Sequence, residues 1–129
     1  MSAQTNTVAA VARRGYLPDG YDPQEMTAKQ LVKMFEELAE ALECTSGGSV
    51  LYRRLVRQVE AIGSFARLVF DDPASFVGVT VDDNLMSETA DMAVVLAMLA
   101  HVQGIPDIMY AAQVKAERDA ERGVRNGQA

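Results

Sequence analysis

Apolar residues recur at helical spacing through most of the chain, and this pattern predicts helices. The first stripe begins after Thr27, which pairs with Gln30 as a capping box, and continues to about Cys44. Its members are Leu31, Met34, Phe35, Leu38 and Leu42. Ser49 is placed to cap a second helix, whose apolar stripe lies opposite three arginines. That stripe consists of Leu51, Leu55, Val59, Ile62, Ala66 and Val69.

A third predicted helix contains nine consecutive residues, MAVVLAMLA, without a polar side chain. Asp82 or Asp83 is expected to cap this helix, and Gly104 to end it. Because it is apolar on all sides, it is expected to lie in the middle of a bundle. A fourth helix is predicted to open at Pro106 and to close at Gly123.

The remaining segments are predicted to be irregular. GYLPDGYDP is rich in turn formers, so residues 1–26 are expected to form an irregular arm. FVGVTV could be a short strand, but a single strand would lack a partner, so we expect a loop. Residues 124–129 are expected to be a flexible tail. The sequence thus predicts an all-α protein in which residues 27–123 form a four-helix bundle-like domain, with apolar faces that oligomers would cover.

Composition narrows the classes of function. A net charge of −6 over 129 residues argues against a nucleic-acid-binding protein, because phosphate attraction needs a cationic surface. Cys44 is the only cysteine, which excludes an intramolecular disulfide and fits a reducing cytoplasm. No run approaches about 20 apolar residues, and the N-terminus lacks a signal-peptide core, so neither membrane insertion nor export is expected.

The stretch FEELAEALE places four glutamates on the first predicted helix. At 100° per residue, Glu36, Glu40 and Glu43 share a face with Lys33, which is typical of a solvated surface. Glu37 falls at the border between that face and the apolar stripe. Glu37 and Glu40 are three residues apart, so their Cβ atoms would lie about 5–6 Å apart and the carboxylates could share a divalent cation. On this helix alone, solvated surface remains the simpler interpretation.

A second acid pair occurs in ETAD, just before the apolar run of the third helix. Glu88 and Asp91 are again three residues apart, and Asp91 adjoins the apolar run directly. A carboxylate removed from water is costly unless a cation or hydrogen-bond donors compensate it. Alternatively, both acids stabilise the helix dipole from an exposed first turn, which accounts better for Glu88 than for Asp91.

Two carboxylate pairs on facing helices would form an oxygen-only cation site. Mg²⁺ or Mn²⁺ takes such ligands and commonly brings phosphate-bearing substrates. A di-iron bundle is the rival, but its Glu-x-x-His pairs are absent from the sequence. The only histidine, His101, is expected in the interior or at a subunit contact.

EELAE followed by ETAD resembles the EExxE…ExxD signature of the MazG-like, all-α nucleotide pyrophosphohydrolase superfamily, which includes dimeric dUTPases. KMFEELAEALE is similar to the first acidic helix of that superfamily, and SETADMAVVLAMLAHVQGI to the second. The last helix, with its lysine and arginines, is similar to the basic C-terminal helix. The resemblance covers roughly residues 27–122. The 47 residues between Glu40 and Glu88 exceed the spacing of compact members, which leaves the substrate subgroup open.

The resemblance implies Mg²⁺-dependent cleavage of a nucleoside triphosphate into the monophosphate and pyrophosphate, by an oligomer of two or four copies. It implies that Glu37, Glu40, Glu88 and Asp91 are metal ligands. Glu36 would lie in the outer part of the site, and Glu36 or Glu40 would accept a proton from the attacking water.

Basic residues would have to bind the phosphates of such a substrate. The candidates are Arg53, Arg57, Lys115 and Arg118, although a solvated surface cation is the commoner role for each. Two other classes stay open. One is a non-catalytic helical interaction or regulatory protein whose apolar face binds a partner. The other is a divalent-cation-binding bundle without catalysis.

Overall fold

The computed structural model describes residues 1–125, and over that range the protein is all-helical, as the sequence predicts. The elements are α1 (Ala3–Arg13), α2 (Pro23–Glu43), α3 (Val50–Asp71), a 3₁₀ turn (Pro73–Phe76), α4 (Asn84–Val102) and α5 (Ile108–Arg125). The predicted loop over FVGVTV is confirmed from Val77 onward, whereas its first residue, Phe76, ends the 3₁₀ turn. The described chain divides into two compact units, which we call the hairpin unit (residues 22–81) and the terminal unit (residues 1–21 with residues 82–125).

Capping residues set the ends of the two helices in the hairpin unit. The backbone N–H of Gln24 donates to Asp22 Oδ1 (2.9 Å), and Pro23 follows at the first helical position. The predicted capping box at Thr27 is therefore wrong, because Asp22, five residues earlier, caps α2 and Pro23 opens it. Ser49 caps α3 as predicted, since its Oγ accepts from the N–H of Tyr52 (3.1 Å).

Small residues bring α2 and α3 together. Ala39, Gly63 and Ala66 are buried, and a Cβ added at Gly63 would lie 2.6 Å from the Cβ of Ala39. The 3₁₀ turn contributes Phe76, the one large buried side chain within residues 22–81. The two helices thus pack closely through their smallest side chains and leave most large apolar side chains uncovered.

In the terminal unit, α1 corrects the prediction of an irregular N-terminal arm. Ser2 caps α1, and Asn6 Nδ2 on α1 donates to Gln113 Oε1 on α5 (3.3 Å). Ala10 and Ala120 are buried in this unit. The turn formers lie at residues 15–23 only, whereas the segment before them contains several alanines, which favour a helix.

Helix α5 begins at Ile108, two residues after Pro106, and ends later than predicted. Asp107 Oδ1 accepts from the backbone N–H groups of Met109 (3.1 Å) and Tyr110 (3.2 Å), which caps the helix. The helix passes through Gly123 to Arg125, so the predicted flexible tail over 124–129 begins too early. The rest of that predicted tail, residues 126–129, lies outside the described residues.

Helix α4 has the predicted bounds but not the predicted burial. Gly104 adopts a φ of 79° just after the helix, a left-handed conformation that suits glycine. Within the terminal unit most apolar side chains of α4 are exposed and Ala100 is buried, so that unit by itself does not bury the helix. By length and composition α4 could also cross a membrane, a property it shares with core helices of soluble proteins.

Candidate metal and phosphate site

Glu36 is the most enclosed acid of the signature. Its Oε1 accepts from Lys33 Nζ (3.3 Å) and from Arg67 Nη1 on α3 (3.1 Å), and its side chain is 14% exposed. Its Oε2 is buried without a hydrogen-bond partner. The predicted solvated position of Glu36 is therefore wrong, because α2 turns this residue toward α3.

Glu37 and Glu40 both lie on exposed turns of α2. The side chain of Glu37 is 60% exposed and lies 3.6 Å from Lys33 Nζ, so its predicted position at the border of the buried face is wrong. Glu40 is exposed and lines a groove of about 330 Å³ between α2 and α3. Glu36, Glu43 and Glu60 also line this groove. The carboxylates of Glu37 and Glu40 are thus accessible from solvent.

Glu88 and Asp91 are exposed on α4. Because α4 begins at Asn84, both acids lie beyond its first turn. The helix dipole acts mainly within the first turn, so the dipole does not account for their presence. The spacing of three residues places the two carboxylates on one face of α4.

The structure describes each acid pair within its own unit, Glu37 and Glu40 in the hairpin unit and Glu88 and Asp91 in the terminal unit. Over residues 1–125, no three Asp, Glu, His or Cys side chains gather closely enough to hold a metal ion. His101, predicted to be interior or at a contact, is exposed in the single chain.

Two of the predicted phosphate-binding residues flank the loop between α2 and α3. Arg53 and Arg57 project from the first turns of α3 into a groove of about 230 Å³. Thr45, Ser46 and Gly47 of the loop line the same groove. Two arginines beside hydroxyl groups can bind an anion. One carboxylate, that of Glu60, lines the groove as well, and the whole arrangement lies within the hairpin unit.

The other two predicted phosphate-binding residues lie on α5. Lys115 Nζ donates to Asp119 Oδ2 (2.7 Å), and Arg122 pairs with the same carboxylate. The bond from Lys115 holds the pKa of Asp119 below its usual value. Arg118 and Lys115 line a groove of about 440 Å³ with Tyr110. Arg118 is therefore the more available cation, since Lys115 already has a partner.

Arg67 is the residue that sequence reasoning missed. It bridges Glu36 and Asp71, and the hydrogen bonds to Asp71 (2.8 Å) and to Glu36 raise the pKa of its guanidinium group. The spacing of four between Arg67 and Asp71 is visible in the sequence as a helical ion pair. The link to Glu36 is not visible there, because it depends on how α2 and α3 pack.

Comparisons with family models, curated proteins and solved structures found no match to this chain.

Proposed function

We propose that the protein is a Mg²⁺-dependent nucleoside triphosphate pyrophosphohydrolase of the MazG-like class that releases the monophosphate and pyrophosphate. One observation carries the proposal: α2 and α4 each present two exposed carboxylates three residues apart, in the order of the EExxE…ExxD signature. Four carboxylates on two helices can provide an all-oxygen site for a hard cation.

The donor chemistry of these residues fits Mg²⁺, with Mn²⁺ as a substitute. Glu37, Glu40, Glu88 and Asp91 are all exposed, so none needs to leave a buried ion pair in order to bind a cation. When bound, Mg²⁺ would neutralise phosphate charge and lower the pKa of a bound water. These carboxylates would hold the cation and thereby orient the triphosphate toward α2 and α4.

Glu36 and Glu40 are proposed to take the proton from water, and they differ in what already surrounds them. Lys33 and Arg67 donate to Glu36 Oε1, so only the unpartnered Oε2 of Glu36 is left to accept a further proton. Glu40 is exposed and forms no ion pair within residues 1–125. Arg67 would keep Glu36 fixed against α3 during this step.

Basic side chains would bind the triphosphate. Arg53 and Arg57 at the α2–α3 loop and Arg118 on α5 are proposed contacts, with Lys115 as a further one if it leaves Asp119. We further propose that the chain adopts a four-helix bundle-like arrangement and assembles as a homodimer or homotetramer. The protein would act in the cytoplasm on the nucleotide pool, without nucleic-acid or membrane partners.

The test is a panel of standard, deoxy and damaged nucleoside triphosphates with Mg²⁺, scored for pyrophosphate against phosphate. We expect pyrophosphate release by the wild type, and none by Glu37→Gln or Asp91→Asn with the circular dichroism spectrum unchanged. Glu117→Gln, an exposed carboxylate outside both pairs, is the matched control. Unchanged turnover in both site variants would refute the site assignment.

Metal binding gives a readout that does not depend on turnover. A ligand at 100 times its Kd stabilises the folded state by about 2.7 kcal/mol. Mg²⁺ should therefore raise the melting temperature of the wild type, and Asp91→Asn should abolish the rise. Binding without turnover of any nucleotide would identify a divalent-cation-binding bundle without catalysis.

A second candidate function is a helical interaction or regulatory protein. The observation in its favour is the large number of exposed apolar side chains on α2, α3 and α4. The acids would then serve only as surface charge. Absence of both pyrophosphate release and a Mg²⁺-induced rise in melting temperature would favour this candidate over the enzyme.

A further inference from the structure

Lys33 places one ammonium group between two neighbouring glutamates of α2. Its Nζ donates to Glu36 Oε1 (3.3 Å) and lies 3.6 Å from Glu37 Oε1. The side chain of Lys33 is 33% exposed, so water surrounds the ammonium group only in part. All three residues belong to the hairpin unit, and their contacts are formed within it. A positive charge of the protein itself therefore lies beside Glu37, one of the four carboxylates proposed to bind the metal.

The two carboxylates beside Lys33 differ in how firmly they are held. Glu36 also accepts from Arg67 on α3 (3.1 Å), and its side chain is only 14% exposed. The side chain of Glu37 is 60% exposed, and within residues 1–125 Lys33 is the one cation at ion-pair distance from it. Exposed ion pairs of this kind are weak. Lys33 can therefore leave Glu37 at little cost, while the firmer contact with Glu36 keeps the ammonium group on α2.

The ring of Phe70 on α3 gives Lys33 a further contact that does not involve Glu37. Lys33 Nζ lies 5.4 Å from the ring centroid, within the range of a cation–π interaction. Lys29 lies over the same ring at 4.7 Å but forms no ion pair in the described part of the chain. Lys33 thus keeps two partners when it leaves Glu37. Lys29 shares the ring without touching an acid, which makes it a matched control.

We propose that Lys33 is an internal counter-cation of Glu37, which neutralises this carboxylate while the site is empty, leaves it when a divalent cation binds, and thereby sets the affinity for Mg²⁺. The inference rests on the proposed metal site at Glu37. Lys33 is a positioning residue, because it acts on the cation only through the carboxylate that both of them contact. Glu40 has no such partner among the described residues, so the two acids of the α2 pair are not equivalent.

The size of the competition follows from the distance between the two cations. Mg²⁺ lies about 2 Å from a carboxylate oxygen that binds it. With Lys33 Nζ at 3.6 Å from Glu37 Oε1, the ammonium group would lie less than about 6 Å from the metal if it stayed. At the permittivity of water, repulsion between a double and a single charge at that distance changes Kd by about tenfold. Lys29 is eight residues from Glu37, about 12 Å along the helix and beyond the range of unscreened charge.

The experiment is calorimetric titration of nucleotide-free protein with Mg²⁺, for the wild type, Lys33→Gln, Lys33→Arg and Lys29→Gln. Lys33→Gln should lower the Kd for Mg²⁺ by about 3–10-fold, because the competing charge is gone. Lys33→Arg keeps that charge, and Lys29→Gln removes an equal charge farther away, so both should stay within about twofold of the wild type. Circular dichroism confirms that each variant is folded.

The outcomes separate this inference from the proposed metal site. Equal Kd values for Lys33→Gln and Lys29→Gln overturn the inference, and so does a gain in affinity for Lys33→Arg as large as that for Lys33→Gln. If the wild type binds Mg²⁺, Asp91→Asn abolishes binding and Lys33→Gln leaves it unchanged, the metal site stands and the role of Lys33 is refuted. Absence of Mg²⁺ binding by every variant refutes the metal site and the inference together.

A measurement on the wild type decides the matter if Lys33→Gln fails to fold. The chain contains three lysines, Lys29, Lys33 and Lys115, so their side-chain NMR signals can be assigned with one Lys→Arg variant each. During titration with Mg²⁺, the ε-methylene signal of Lys33 should move furthest, because its ammonium group exchanges one of its partners. A Lys33 signal that moves no further than that of Lys29 at saturating Mg²⁺ contradicts the inference.

Discussion

Gly63 controls how closely α2 and α3 approach, and its replacement by alanine tests the hairpin directly. Helix propensity alone predicts that Gly63→Ala stabilises α3 by about 1 kcal/mol. However, the added Cβ would lie 2.6 Å from the Cβ of Ala39, whereas apolar carbons prefer about 3.5–4.0 Å. The helices would have to separate by about 1 Å.

Overpacking of this kind costs about 1–3 kcal/mol, which exceeds or cancels the gain in propensity. We therefore expect Gly63→Ala to lower the free energy of unfolding by about 0–2 kcal/mol. For a chain of this length that corresponds to a fall in Tm of up to several degrees. Urea unfolding followed by circular dichroism, at matched protein concentration, measures the change.

A double variant separates the energy of the contact between positions 39 and 63 from the effect of each substitution on the stability of its own helix. Ala39→Gly removes the atom that the new Cβ would meet, and the nearest remaining atom is the carbonyl oxygen of Phe35 at 3.4 Å. The double variant Ala39→Gly with Gly63→Ala should therefore be more stable than either single variant, with a coupling energy of about 1–3 kcal/mol. A higher Tm for Gly63→Ala alone, with no coupling, would refute the close packing of α2 on α3.

Two further predictions concern a helix cap and an ion pair. Ser49→Ala should lower the free energy of unfolding by about 0.5–2 kcal/mol, because the N–H of Tyr52 loses its acceptor, and urea unfolding measures this. Asp119→Asn should destabilise the protein by less than about 1 kcal/mol at pH 7, through loss of the bonds from Lys115 and Arg122. Since folding lowers the pKa of Asp119, this contribution is present above its unfolded pKa. The difference in Tm between variant and wild type should shrink as pH falls through the folded pKa, and a constant difference would contradict the pairing.

Helix positions could be predicted well where capping residues and apolar periodicity agree. Ser49 and Gly104 fix the start of α3 and the end of α4, because a hydroxyl cap and a left-handed glycine act locally. The predicted start of α2 is wrong because two possible capping residues, Asp22 and Thr27, lie close together in the sequence. Asp22 with Pro23 opens the helix, and Thr27 instead donates to the backbone of Pro23 from within it.

The orientation of the acids could not be predicted from periodicity alone. The stripe of large apolar residues predicts the inward face of α2, but the contact of α2 with α3 uses Ala39 against Gly63. That contact rotates Glu36 into the groove with Arg67 and leaves Glu37 exposed. A stripe of large apolar residues indicates which face of a helix must be buried, whereas small residues indicate where a neighbouring helix can approach most closely.

The most direct test of the proposed function is the position of bond cleavage in ¹⁸O-labelled water. The protein is incubated with Mg²⁺ and a nucleoside triphosphate that it consumes, and the products are weighed by mass spectrometry. The proposal predicts one ¹⁸O atom in the nucleoside monophosphate and none in the pyrophosphate, because water attacks the α-phosphorus. Label in released pyrophosphate or phosphate, or no Mg²⁺-dependent consumption of any nucleoside triphosphate, would contradict it.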